Sequence, residues 1–512
     1  MSTMIERCRD AIVGVSSLND PYRAAGVRAE SFGRNCSTKR LQLLRLYIVL
    51  AVFLSIPAHA TITLPRILGH DMVLQREKPV PIWGTAAPGE VVTVQFAGQQ
   101  LSAKADAAGK WQVLLKPLKA SATSAELIIS GSNTIRLRNV LVGEVWVCSG
   151  QSNMEYTMRK NSKVTRPDVT GPNPVDELNV AHNHAIRIFL VNRKTLPRPD
   201  TLHRDWAVAQ DSALRSFSAA AYFFAKELNQ RLGVPVGMVA TSVPGSRIEP
   251  WVSEEAFATD PAFAGKKVDG DPGKFWETMV KPLAPLAVRG FLWYQGESNC
   301  FLAETATYTQ KMRTLIHSWR AAWGDQNLPF YYVSLAPFKY SDTHDKVVLT
   351  RETLPLFREA QAAVLQVPHT GMIETTDLAN TEGGIHPGFK WEIGRRLALL
   401  ALANTYKTPG VVAQGPVFRS LKVKGNVAAV SFASAAPLVS KDGQALTSFT
   451  LAGPDGVFVT AQARIQGSQV LVSAPGVQRP TAVRFGWDEV AQPNLFSGAG
   501  LPARPFRTDK PH

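Results

Sequence analysis

Ser152 follows an apolar, β-rich run, Val145-Trp146-Val147-Cys148, and the small-residue turn Ser149-Gly150-Gln151-Ser152-Asn153. Such a run reads as a strand buried on both faces, and in open α/β sheets reactive groups lie just beyond the carboxyl ends of these strands. With Gly150 sharpening the turn, the Ser152 hydroxyl is exposed beside backbone N–H groups, as a nucleophilic serine and its oxyanion require. Ser, Gly and Asn also make ordinary turns, so this stretch alone reads equally well as a strand-to-loop connection. His386 is the candidate base. It sits in Gly383-Gly384-Ile385-His386-Pro387, between an expected strand and an expected helix, at the sheet end where Ser152 also falls. An imidazole there is suited to take a proton from a serine hydroxyl.

Two further strand ends carry polar groups. Gly245, in Ser242-Val243-Pro244-Gly245-Ser246-Arg247-Ile248-Glu249-Pro250-Trp251, can donate a backbone N–H or simply turn the chain. The stretch Trp293-Tyr294-Gln295-Gly296-Glu297-Ser298-Asn299 is dense in polar side chains at a strand end. That density is costly unless used, which favours a site.

The elements that position these groups are read from periodicity. From 142 to 410 apolar strands alternate with helical patterns, as in an α/β layer. Strands are expected at 236–241, 288–293, 330–335 and 372–376, and helices at 216–232, 308–323, 353–364 and 390–404. Residues 61–141 and 411–512 show short alternating segments separated by Gly/Pro/Asn/Asp turns, the pattern of β-sandwich regions. The C-terminal region is expected to pack near the first, since chain termini often lie close together.

Residues 1–60 read differently. Lys39, Arg40 and Arg45 precede an apolar stretch from Leu46 to Ile56 and then Ala58-His59-Ala60, the layout of a secretory signal cleaved after Ala60. The apolar core is short of the ~20 residues a stable membrane span needs. The segment from Met1 to Thr38 is polar and aperiodic, and translation is expected to begin nearer Thr38. The chain is thus expected to be exported, to the periplasm or the medium.

An apolar share of 45% and a charged share of 19% describe a globular chain, and 512 residues imply two or three domains. The net charge of +15 is scattered without a Lys/Arg block, which argues against nucleic acid and leaves anionic polymers as a preference. Outside residues 1–60 only Cys148 and Cys300 remain, two thiols expected to be buried. His182 and His184 lie in a polar run and give poor support for a metal site. Neither a metal nor a cofactor is called for.

Together the blocks 145–154, 245–251, 293–299 and Ile385-His386-Pro387 resemble the sialate O-acetylesterase-like carbohydrate esterases of the SGNH hydrolase superfamily. The resemblance runs from about Thr61 to Asp509. It implies a flavodoxin-like three-layer α/β/α hydrolase domain flanked by β regions, and deacetylation of acetylated carbohydrates without a metal. Matched position by position, Ser152 is the nucleophile and His386 the base. The Ser152 and Gly245 N–H groups and the Gln295 side chain become oxyanion donors, with Asn299 as the alternative. Many relatives place an Asp three residues before the His, but that position is Gly383 here. Asp377, in Thr376-Asp377-Leu378, is the preferred acid; Glu382 and a Ser–His dyad are the other options.

Trp251, Trp293 and Tyr294 are candidate platforms for a sugar ring, with Arg247 as a further substrate contact, although aromatics beside apolar strands are more often core. Sialic acid and plant hemicellulose (xylan or xyloglucan) both fit, because the motifs recognise the ester and not the sugar. A non-catalytic glycan-binding protein is the reading from another class. The joint presence of Ser152, Gly245, Gln295 and His386 argues against it, and the oligomeric state is left open.

Overall fold

A computed structural model describes residues 61–164, 177–195, 198, 203, 205–343, 347–380 and 383–509. The expected signal at 1–60 and the acid candidate Glu382 lie outside these residues.

Six parallel strands form the central sheet: β1 (Thr134–Gly150), β2 (Ile186–Leu190), β3 (Val236–Ser242), β4 (Gly290–Tyr294), β5 (Phe330–Val333) and β6 (Thr370–Ile373). Their spatial order is β6-β5-β4-β1-β3-β2, with the short antiparallel strand Ala207–Val208 on the β2 edge. A flavodoxin-like order would put β2 beside β1. Here β3, seven residues long and buried throughout, takes that inner place, and the five-residue β2 lies outside it.

Alternation along the strands sends successive side chains to opposite faces. Val145, Val147, Phe291 and Trp293 enter one core with Tyr308, Leu315 and Trp319 of helix α4 (Thr305–Ala322). Trp146, Cys148, Leu292 and Tyr294 enter the other, with Phe224 of α2 (Ala219–Leu232) and Ile393 of α6 (Lys390–Leu400). The remaining labels are α1 (Ser152–Glu155), α3 (Glu297–Cys300) and α5 (Thr353–Ala363). Helices thus cover both faces of the sheet, and both described cysteines are buried free thiols. Among the described residues no helix is long and apolar enough to cross a membrane.

The first β region has no clean border with the α/β unit, because β1 is continuous through residue 141. Its first half pairs antiparallel with Ser121–Ser130, and its second half runs between β3 and β4. The C-terminal region is tied to the α/β unit. Among the described residues its outward hydrogen bonds and ion pairs go to the α/β unit: Arg504 to Glu374 and Arg484 to Glu352, each at 2.7 Å, and Glu489 to the Ser341 N–H at 2.9 Å. The two β regions meet the sheet at different ends. The first continues into the amino-terminal half of β1, whereas Glu374 lies just past the carboxyl end of β6.

Candidate active site

Three central strands end level with one another. The register pairs Ser242 with Gly150 and Tyr294 with Gly150, so the turns carrying Ser152, Gly245 and Gln295 leave the sheet at one edge. The sheet order reverses beside β1, the place where open α/β sheets bind ligands. Gly150 permits the close approach of β4: it has φ +140°, and a Cβ there would stand 2.1 Å from the Tyr294 carbonyl oxygen. The Gln151 N–H donates to that same oxygen at 3.1 Å, and its side-chain oxygen accepts from the N–H groups of Gly296 and Ser298 at 3.4 and 3.3 Å. The nucleophile turn is thereby fixed to the start of α3.

Ser152 and His386 meet at this edge. The His386 Nε2 lies 2.8 Å from the Ser152 Oγ, and both residues are half-buried. Burial pushes the imidazole below its ordinary pKa, and the cations of Lys390 and Lys160 push the same way. His386 is therefore neutral and able to accept the serine proton at neutral pH.

No carboxylate hydrogen-bonds His386 among the described residues. Asp377, the expected acid, is turned away: its two oxygens each take a 2.7 Å hydrogen bond from the Arg396 guanidinium, and the Lys441 ammonium stands 3.8 Å from one of them. A bidentate pair of this kind fixes the orientation of the carboxylate.

Gly245 is exposed at φ +71°, and its N–H and that of Ser152 donate no hydrogen bond among the described residues. Both are free for an incoming oxyanion. Gln295 is not. Its amide nitrogen donates to the Ser246 carbonyl at 3.2 Å and to Asn299 Oδ1 at 2.7 Å, and its oxygen accepts from the Tyr308 hydroxyl at 3.0 Å. Asn299 is equally committed, donating to Glu249 at 3.2 Å and to Glu304 at 2.6 Å while accepting from the Ile248 N–H at 3.0 Å. Both residues are wholly buried, so their work is to hold the loop that carries Gly245.

Three of the four expected sugar contacts are also interior. Trp251 and Trp293 are buried and meet edge to face with centroids 6.0 Å apart. Tyr294 is buried as well, its ring 4.8 Å from the Lys390 ammonium. Arg247 spends its guanidinium on Glu249, at 2.8 Å, and Glu304. None of the three aromatic rings offers a face to solvent. A cavity of about 510 Å³ runs alongside α1, lined by Glu155, Asn192 and Arg193 and by the apolar Leu190, Val191 and Ala240, and it includes neither Ser152 nor His386. A larger cavity, about 1200 Å³ near Thr314 and His317, also includes none of the site residues.

Sequence reasoning missed the groups beneath the pair. Lys390 is completely buried and donates to Asn153 Oδ1 at 2.7 Å; the Asn153 amide donates to Glu297 and, at 3.2 Å, to the Ile385 carbonyl. Burial pushes Lys390 down to about 7 and pushes Glu297 up. The available signal was a lone lysine between Phe389 and Trp391 at the start of an otherwise apolar-faced helix.

Residues 142–403 match the family described as carbohydrate esterase, sialic acid-specific acetylesterase. Sialate O-acetylesterase from Homo sapiens is 30% identical over 393 residues, covering 68% of this chain and 72% of that protein. The Mus musculus sialate O-acetylesterase is 26% identical over 421 residues, covering 69% and 75%. Among solved structures, a carbohydrate acetylesterase from Xanthomonas citri is 34% identical with a TM-score of 0.77, over 88% of this chain and 100% of its own.

Proposed function

Because the chain belongs to the carbohydrate esterase family of sialic acid-specific acetylesterases, and is therefore a carboxylic ester hydrolase, we propose that it deacetylates sugars through Ser152 and His386. The observation that supports this most is the 2.8 Å contact between the two side chains at the carboxyl edge of the sheet. His386 takes the Ser152 proton as Oγ attacks the acetyl carbonyl. The N–H groups of Ser152 and Gly245 receive the oxyanion. The imidazolium then protonates the departing sugar oxygen, and water, activated by the same imidazole, releases acetate from the acetyl-serine. The pair works as a dyad. An acetyl group needs little room.

The sugar is to be assigned by assay. Acetate release from acetylated sialic acid, acetylated xylan and acetylated xyloglucan, measured side by side, names the substrate by the highest kcat/KM. A protein that binds these glycans and releases no acetate from any of them would instead be a binding protein. Export is part of the same reading, supported by the basic, apolar and small-residue layout of residues 39–60. The intact mass of protein recovered outside the cytoplasm should correspond to a chain beginning at Thr61; a mass retaining residues 46–56 would contradict it.

A further inference from the structure

We propose that Lys390, Asn153 and Glu297 form a buried brace that sets His386 against Ser152, and that Lys390 is a positioning residue of the esterase. The proposal rests on the roles given to Ser152 and His386 above. Asn153 directly follows the serine, Ile385 directly precedes the histidine, and Lys390 begins the helix after the histidine loop. One side-chain amide touches all of them. Asn153 accepts from Lys390 at 2.7 Å and donates to the Ile385 carbonyl at 3.2 Å and to Glu297 on α3. On the other side of the loop, the Asn380 amide donates to the His386 carbonyl at 2.7 Å. The histidine backbone is thus held from both flanks, while no described carboxylate reaches its ring.

A buried lysine and a buried glutamate are expensive, and apolar residues would fill the same space at lower cost. Among the described residues the Lys390 ammonium makes a single hydrogen bond and rests 5.0 and 4.8 Å from the rings of Tyr156 and Tyr294, and the second oxygen of Glu297 is buried without a partner. Fixing three loops in one geometry gives that arrangement a use that packing alone would not need. It also places charge near the base. Lys390 and Lys160 both face His386 and disfavour the imidazolium, whereas Glu297 acts on Lys390.

The test is hydrolysis of 4-nitrophenyl acetate across pH by wild type, Lys390→Met, Lys390→Arg and Asn153→Ser, with folding followed by circular dichroism. A ~1 Å displacement of reacting groups costs ~10²-fold, so Lys390→Met should lose roughly 10–100-fold in kcat with KM little changed. Its acid limb of kcat/KM should move to higher pH, because a cation facing His386 is gone. Lys390→Arg should keep the acid limb of wild type. Asn153→Ser should lose kcat while keeping that limb, since the charge remains, and it carries the test if Lys390→Met does not fold. Wild-type kcat and an unmoved acid limb in Lys390→Met, or wild-type kcat in Asn153→Ser, would overturn the brace. NMR titration of the His386 ring in wild type and Lys390→Met separates the two claims. If wild type hydrolyses no ester, the catalytic reading fails, and the brace still stands or falls on whether the His386 pKa rises in the variant.

Discussion

Asp377 gives one oxygen to each terminal nitrogen of the Arg396 guanidinium, both at 2.7 Å, and none to His386. The pair is nearly inaccessible to solvent and fastens the loop after β6 to helix α6. Asp377→Asn is therefore expected to keep kcat on 4-nitrophenyl acetate close to wild type while losing on the order of 3 kcal/mol of stability, the low end for breaking a buried pair because Glu392 still engages Arg396. A loss of ~10⁴-fold in kcat with stability intact would instead make Asp377 the triad acid. Glu382→Gln, measured alongside, should also stay near wild type if the enzyme runs on a dyad.

His386 carries the pH dependence. Burial first, then Lys390 and Lys160, hold the imidazole below the 6.5 of an unperturbed histidine. The base is active when neutral, so kcat/KM should remain high as pH falls through 6.5 and decline only below it. An acid limb centred above 6.5 would mean that a carboxylate supports the imidazolium after all.

Gln295 separates a donor to the oxyanion from a prop for the loop that carries Gly245. Gln295→Ala removes a partner from the Tyr308 hydroxyl and the Asn299 oxygen, which keep the residue-295 carbonyl and the Ile248 N–H, and leaves the Ser246 carbonyl without its amide donor. Unsatisfied buried groups cost about 1–3 kcal/mol each, so thermal denaturation should show a clear drop in stability. A fall of ~10²–10³ in kcat without that drop would restore Gln295 to the oxyanion site.

Trp251 is a core residue by its surroundings: its indole N–H donates to Ser246 Oγ at 3.1 Å, and its carbonyl accepts from the Trp319 indole at 2.9 Å. Trp251→Ala should lose about 3–5 kcal/mol of stability by leaving a cavity. A variant of unchanged stability with a raised KM for glycan esters alone would make the ring a sugar platform.

Much of this was legible in the sequence, and for a physical reason. Strands buried on both faces write themselves as apolar runs, and the turns that follow them were visible as clusters of Gly, Ser and Asn. Ser152 and His386 were found that way although 234 positions separate them. Strand order was not legible, because β2 and β3 are both apolar and periodicity does not say which lies inside. Nor was the fate of polar side chains: Gln295, Asn299 and Asp377 look the same in a sequence whether they face a substrate or one another. Trp251 and Trp293 show the same ambiguity for rings, since an aromatic beside a strand fits a core as well as a cleft. The brace under His386 stayed hidden because a lone lysine normally signals solvent, and only tertiary packing encloses Lys390.

The most direct measurement is acetate release by wild type and Ser152→Ala on the preferred acetylated sugar and on 4-nitrophenyl acetate. Wild type should release acetate from both, and Ser152→Ala should fall by at least ~10³-fold while folding normally. A folded Ser152→Ala protein that releases acetate at the wild-type rate would contradict the nucleophile.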